Sequence, residues 1–127
     1  MGLFNIPGLE NYALLALRLA LAAVFLYHGS KKAFNKQTPG FMRFIGICET
    51  FGAIAMLAGF LTQLAGIGLA IIMSGAIYKK LTEWHVPFSA DSTTGWEFDM
   101  TLFAIAVALA LMGAGTISID ALAGFYP

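Results

Sequence analysis

Between Arg18 and Lys32 the chain sets one arginine ahead of nine uninterrupted apolar residues, Leu19 to Tyr27, and closes on His28, Lys31 and Lys32. Tyr12 to Leu17 is apolar as well. The run from Tyr12 to about Phe34 is ~23 residues, which as a helix is ~35 Å long. A hydrocarbon core is ~30 Å thick, so the run is long enough to cross one. A charge within such a span is expensive and faces the protein interior with a partner. On a helical wheel Ala22, Phe25, Gly29 and Lys32 lie within about 40° of Arg18, which makes this the expected inward face.

Composition carries the same reading to the whole chain. Of 127 residues 59% are hydrophobic and 11% charged, and the mean hydropathy is +0.80. A water-soluble domain of this size has no room to hide that much apolar surface. The apolar runs have helical length rather than the alternation of barrel strands. The expected class is therefore all-α and integral membrane. A net charge of zero offers no basic surface for nucleic acid. The single cysteine, Cys48, excludes an intrachain disulfide or CxxC pair, and beside Glu49 it reads as a buried, inert thiol. The first span lacks a basic leader and a cleavage site, so it is expected to be retained.

Turn residues divide the rest. Residues 1–11 form a short interfacial lead, and Asn35 to Gly40 (N-K-Q-T-P-G) a loop. Spans are expected at about 12–34, 41–60, 64–81 and 96–113, with a tight connection at Leu61-Thr62-Gln63 and a polar loop over 82–95. An amphipathic tail follows from 116 to 127. Residues 1–127 are thus expected to form one four-helix membrane bundle. Small residues recur at close spacing in Gly66, Ala70 and Ser74, in Ala106, Ala110 and Ala114, and in Gly52 and Gly59, which points to tight helix packing.

Apart from Arg18, all Lys and Arg residues (31, 32, 36, 43, 79 and 80) fall in or beside the first and third loops. With four spans these loops share a side. The positive-inside rule puts them in the cytoplasm and both termini outside, in the cell (inner) membrane. Trp84, Trp96 and Tyr126 fit the aromatic belts.

Ionisable groups converge at the cytoplasmic side. Glu49 lies ~10 Å into the second span. His28 and Lys32 enter from the first helix, Tyr78, Lys79 and Lys80 from the third, Glu97 and Asp99 from the fourth, with Trp84 and His85 in the adjacent loop. Intramembrane ionisable residues mark small-molecule or proton sites; the competing reading is that Glu49 pairs with Lys32 or Lys80 and only locks the bundle. Arg18 lies ~10 Å in from the opposite side, with Asp120 as its expected partner and Glu49 as the second choice. His28 and His85 without a Cys or carboxylate cluster do not make a metal set, so no metal is expected.

Six pieces taken in order are similar to the DoxX family of small bacterial and archaeal membrane proteins. They are L-R-L-A-L-A-A-V-F-L-Y-H-G-S-K-K (17–32), G-I-C-E-T-F-G-A (46–53), L-A-G-F-L-T (57–62), H-V-P (85–87), G-W-E-F (95–98) and G-A-G-T-I-S-I-D (113–120). The resemblance spans nearly the whole chain and maps the family's recurrent polar positions onto Arg18, His28, Gly29, Lys32, Glu49, His85, Glu97 and Asp120. Ala114 departs from it, where the family often has proline. The resemblance implies a four-helix membrane protein of redox metabolism, since the related DoxD proteins form the membrane part of a thiosulfate:quinone oxidoreductase.

The leading expectation is a membrane subunit of a quinone-linked oxidoreductase system. His28, Lys32 and Glu97 would bind the headgroup, Glu49 and His85 would act on protons, and Arg18 and Asp120 would form a structural ion pair. The alternative is a non-catalytic accessory or assembly protein that anchors a soluble redox partner through the 82–95 loop. An exporter is disfavoured by the one-sided lysines. The lipid bilayer is the expected environment; a soluble or membrane redox partner and a homo-oligomer are left open.

Overall fold

A computed structural model describes residues 6–125, and among these there is helix and no strand. Four long helices, α1 (Leu9–Phe34), α2 (Gly40–Ala58), α3 (Thr62–Thr82) and α4 (Trp96–Met112), precede a short α5 (Ile119–Ala123). The helices α1, α2 and α3 are long and apolar enough to cross a membrane. The helix α4 was expected to match them, but it has 17 residues, about 25 Å, and holds Glu97 and Asp99 in its first turn. The short α5 occupies part of the expected tail. Tyr126 lies outside the described residues. Cys48, expected to be buried, is only half-buried.

Local chemistry sets the helix ends. Glu10 in the first turn of α1 and Lys31 and Lys32 in its last match the helix dipole. The helix α2 ends at Gly59 with φ +71°, where Phe60 N–H closes onto Ala55 O at 2.9 Å and Gly59 N–H onto Met56 O at 3.2 Å. The turn into α3 puts Leu61 in the left-handed region at φ +49°, a strained conformation for a side chain with a Cβ. Ser118 caps α5 by accepting from Ala121 N–H at 3.1 Å.

The helices pack chiefly as two pairs, α1 on α2 and α3 on α4, with sparser contact between the pairs. Arg18, Ala22, Phe25 and Gly29 are buried on one face of α1 as the wheel predicts, with Lys32 half-buried at its end. They meet a core that includes Leu21, Met56, Leu69, Met73, Leu102 and Leu109. Outside, Tyr12, Phe51, Leu64, Ile71 and Leu111 are exposed, an apolar surface of the kind lipid covers. Between lipid-covered helices close packing rather than water exclusion drives association, and small residues make it here. A Cβ on Gly66 would sit 2.8 Å from Ala106 O and 2.9 Å from Ala110 N. At the α1–α2 crossing a Cβ on Gly29 would lie 3.0 Å from Gly46 O, and one on Gly46 would strike Lys32 Cβ and stand 2.9 Å from Gly29 O.

Because these obstacles are mostly backbone, Gly46→Leu is expected to lower stability by ~1–3 kcal/mol. Gly68→Leu, where a Cβ meets nothing within 4 Å, is expected to change it by less than ~0.5 kcal/mol. Thermal midpoints in detergent check the pair.

Candidate functional site

The C-terminal end of α1, the N-terminal end of α2, the second half of α3 and the start of α4 meet at the lysine-rich end of the bundle. They enclose a cavity of about 560 Å³, within the ~300–1,000 Å³ usual for small-molecule sites. Its walls are mostly apolar: Val24 and Phe25 from α1, Phe41, Met42 and Ile45 from α2, Ile71, Ile72, Met73 and Ala76 from α3, Phe98 and Leu102 from α4. Trp84, Thr93 and Thr94 of the 83–95 loop complete it.

Two carboxylate–ammonium pairs face this space. The Gly29–Gly46 crossing brings α1 and α2 together where Lys32 follows one glycine by three residues and Glu49 follows the other by three. Lys32 Nζ donates to Glu49 Oε1 at 3.1 Å and to Oε2 at 3.3 Å. The pair is asymmetric, for the Glu49 side chain is 1% exposed and that of Lys32 33%. Across the cavity Lys80 Nζ stands 2.6 Å from Asp99 Oδ2, both side chains being nearly buried. Lys80 also donates to Thr94 Oγ1 at 2.9 Å and to Thr94 O at 3.0 Å. His28 lies on the wall with its ring 5.5 Å from that of Phe98, centroid to centroid.

The expected site residues divide accordingly. Glu49, Lys32 and His28 come together on the cavity, and Glu49 takes Lys32 rather than Lys80 as its partner. Glu97 and His85, expected beside them, do not line it. Glu97 and Asp99 are two residues apart on one helix, about 200° round its axis, so only one can face inward. The one that does is Asp99, aligned with the buried Leu102, Ala106 and Leu109, and that spacing was the available signal. Lys80 continues the buried Leu69 and Met73 of α3 in the same way. The exposed His85, at φ +49°, sits on the outside of a turn. Val86 N–H bonds Lys80 O at 2.8 Å and Glu97 N–H bonds Phe88 O at 3.1 Å, folding 86–88 against the start of α4. Among the described residues no three His, Cys, Asp or Glu side chains gather as a metal-binding group.

At the opposite end the expected Arg18–Asp120 ion pair is not made among the described contacts. Arg18, 1% exposed, donates from Nε to Met56 O at 2.9 Å and from Nη2 to Leu57 O at 3.2 Å. Its Nη1 donates to Ala114 O at 3.1 Å and to Ile117 O at 2.7 Å. The Asp120 carboxylate accepts from Leu61 N–H at 2.6 Å and from Thr62 N–H at 2.9 Å. The cation thus sits on the carbonyl end of α2 and the anion on the amide end of α3. Each matches the partial charge of a helix terminus and satisfies groups the helix leaves unbonded. Neither Arg18→Leu nor Asp120→Leu should then rescue the other. Each is expected to lower stability by ~2–4 kcal/mol, with the double mutant less stable than either single mutant. A double mutant more stable than the worse single mutant in a melting experiment would restore the direct pair.

The DoxX family model matches residues 13–82, more than half of the chain. The matched segment covers nearly all of α1 together with α2 and α3, and so contains Arg18, His28, Gly29, Lys32, Gly46, Glu49 and Lys80. No curated protein and no solved structure matches the chain. With three span-length apolar helices and a family match over more than half its length, the chain is a multi-pass membrane protein and belongs to the DoxX family.

Proposed function

We propose that this protein is a four-span membrane subunit of a quinone-linked oxidoreductase system, with its lysine-rich end in the cytoplasm and both termini outside. The observation that carries the reading is the cavity itself, in which apolar walls meet His28 and two carboxylate–ammonium pairs whose carboxylates are buried. The donor set fits a quinone headgroup. The His28 ring makes no hydrogen bond within the protein among the described residues, and Lys32 and Lys80 carry donors suited to carbonyl oxygens. A bound quinone would supply two-electron, two-proton redox chemistry. Glu49 is the group of the chain suited to hold a proton, and Lys32, one-third exposed, connects it with the aqueous side. In the fourth helix, Glu97 and Asp99 at the first turn leave an apolar stretch from Met100 to Met112 that completes the crossing with a tilt or a locally thinned bilayer.

Mass spectrometry of the protein extracted in mild detergent tests the reading. Co-purified quinone supports it, whereas a stoichiometric soluble partner with no quinone supports an anchoring role for the 83–95 loop instead.

Glu49 separates chemistry from architecture. In Glu49→Gln the freed Lys32 ammonium turns toward water along its own stem, so the loss of stability is expected to be no more than ~1 kcal/mol. Lys32→Met leaves a carboxylate buried without its partner and is expected to cost ~3–5 kcal/mol. Quinone retention should fall in Glu49→Gln although its melting midpoint is nearly unchanged. A destabilised Glu49→Gln protein with wild-type quinone content would defeat the functional role.

Sidedness is tested at Ser92, exposed in the 83–95 loop. With Cys48 replaced by alanine, Ser92→Cys should be protected from an impermeant thiol reagent in intact cells and labelled once the cells are opened. Labelling in intact cells overturns the orientation.

A further inference from the structure

The cavity has four seams between neighbouring helices, and three are bridged by side chains or a close backbone crossing at its depth. The α1–α2 seam is closed by the Gly29–Gly46 crossing and the Lys32–Glu49 pair. Lys80 and Asp99 tie α3 to α4, and the His28 and Phe98 rings bridge α1 and α4. The α2–α3 seam differs. These helices touch where a Cβ on Gly52 would lie 2.9 Å from Leu69 Cδ2, and toward the lysine-rich end no ion pair or ring contact joins them among the described residues. There Phe41, Ile71 and Tyr78 line the cavity and are nonetheless 66%, 65% and 64% exposed. They belong to the interior space and to the outer apolar surface at once. Between Ile71 and Tyr78 on α3 lies Gly75, also on the lining, where a Cβ would meet no atom within 4 Å. Close packing accounts for glycine at 29, 46 and 66; it does not account for Gly75.

We propose that the α2–α3 cleft is a lateral entrance from the lipid, that its occupant is an amphiphile with a hydrogen-bonding head and a single flexible apolar chain, and that Gly75 sets the width available to that chain. The inference rests on the quinone reading for the head and adds the route, the chain and the controlling residue. The physical case is continuity of environment. A chain lying between Phe41 and Ile71 exchanges lipid contact for apolar side-chain contact, so it crosses no polar barrier. The head moves from the hydrocarbon directly to His28 and the two ion pairs, where the apolar walls strengthen its hydrogen bonds. A side chain at position 75 would project into the cleft without disturbing a packed interface.

The test uses the full chain in lipid nanodiscs and two probes sharing one head, 2,3-dimethoxy-5-methylbenzoquinone and its decyl-tailed form, titrated by quenching of tryptophan fluorescence. Gly75→Phe is compared with Gly68→Phe, whose site on α3 is equally uncrowded but off the cavity lining. The expected result is about tenfold or greater weakening of the decyl-tailed probe in Gly75→Phe, with the tail-less probe within about twofold of wild type. Gly68→Phe should bind both as wild type does, and the two variants should share a melting midpoint. If Gly75→Phe melts lower than Gly68→Phe, Ile71→Phe replaces it as the obstruction, with the same expectations. Unchanged binding of the tailed probe overturns the entrance and leaves the quinone reading standing. Equal loss of both probes overturns it too, because the new side chain then displaces the head rather than the chain. Failure of the unaltered protein to bind either probe overturns the quinone reading and the entrance together.

Discussion

Arg18 is a cation within an apolar helix, and the end of the bundle opposite the lysines is built around its hydrogen bonds. Its guanidinium binds the last carbonyls of α2 and two carbonyls of the 114–117 turn, so one side chain joins α1, α2 and the exit from α4. In lipid the gain from excluding water between helices is absent, which leaves directional bonds and close packing to hold the helices in place. Asp120 answers from the other side by holding the first amides of α3 and the strained Leu61. Its own N–H bonds Gly59 O at 2.9 Å. Gly59 admits no side chain here, because a Cβ would run 2.6 Å from an Arg18 nitrogen. Two opposite charges therefore stabilise the same corner without touching, each set against helix dipoles of the complementary sign.

The lysine-rich end is arranged differently. Contact between Gly29 and Gly46 brings two backbones close enough for Lys32 to reach the fully buried Glu49, while the second pair, Lys80 and Asp99, joins the other two helices. The cavity lies between these two pairs. A bundle pinned at one corner, with the α2–α3 seam meeting at Gly52 and Leu69, leaves space at its far end without losing its helix order. The polar groups that make the cavity chemically distinctive also hold its walls together. That is why the consequences of changing Glu49 and Lys32 differ: one member of the pair reaches water and the other does not.

Much of this arrangement is legible in the residues. The inward face of α1 follows from the wheel through Arg18, and the loop at Asn35 to Gly40 from its turn residues. Glu49, His28 and Lys32 could be assigned to one end from depth alone. Depth could not separate Glu97 from Asp99 or place His85, because rotation about a helix axis and the course of a loop depend on contacts formed elsewhere. The pairing of Arg18 with Asp120 was expected because side chains were matched with side chains, whereas the partners of both are backbone groups, which every residue carries and no residue type announces.

The sequence by itself determined the helical membrane class, the approximate helix boundaries and the grouping of lysines at one end, since these are properties of contiguous stretches: apolar length, turn residues and charge position. Only the tertiary structure decided which acid meets which base, which residues line the cavity, and that Arg18 and Asp120 serve helix termini. Those outcomes depend on separations of a few ångströms between segments as far apart in the chain as Arg18 and Ile117. Such separations are set by how closely backbones approach at a handful of glycines, and so by the packing of the whole chain.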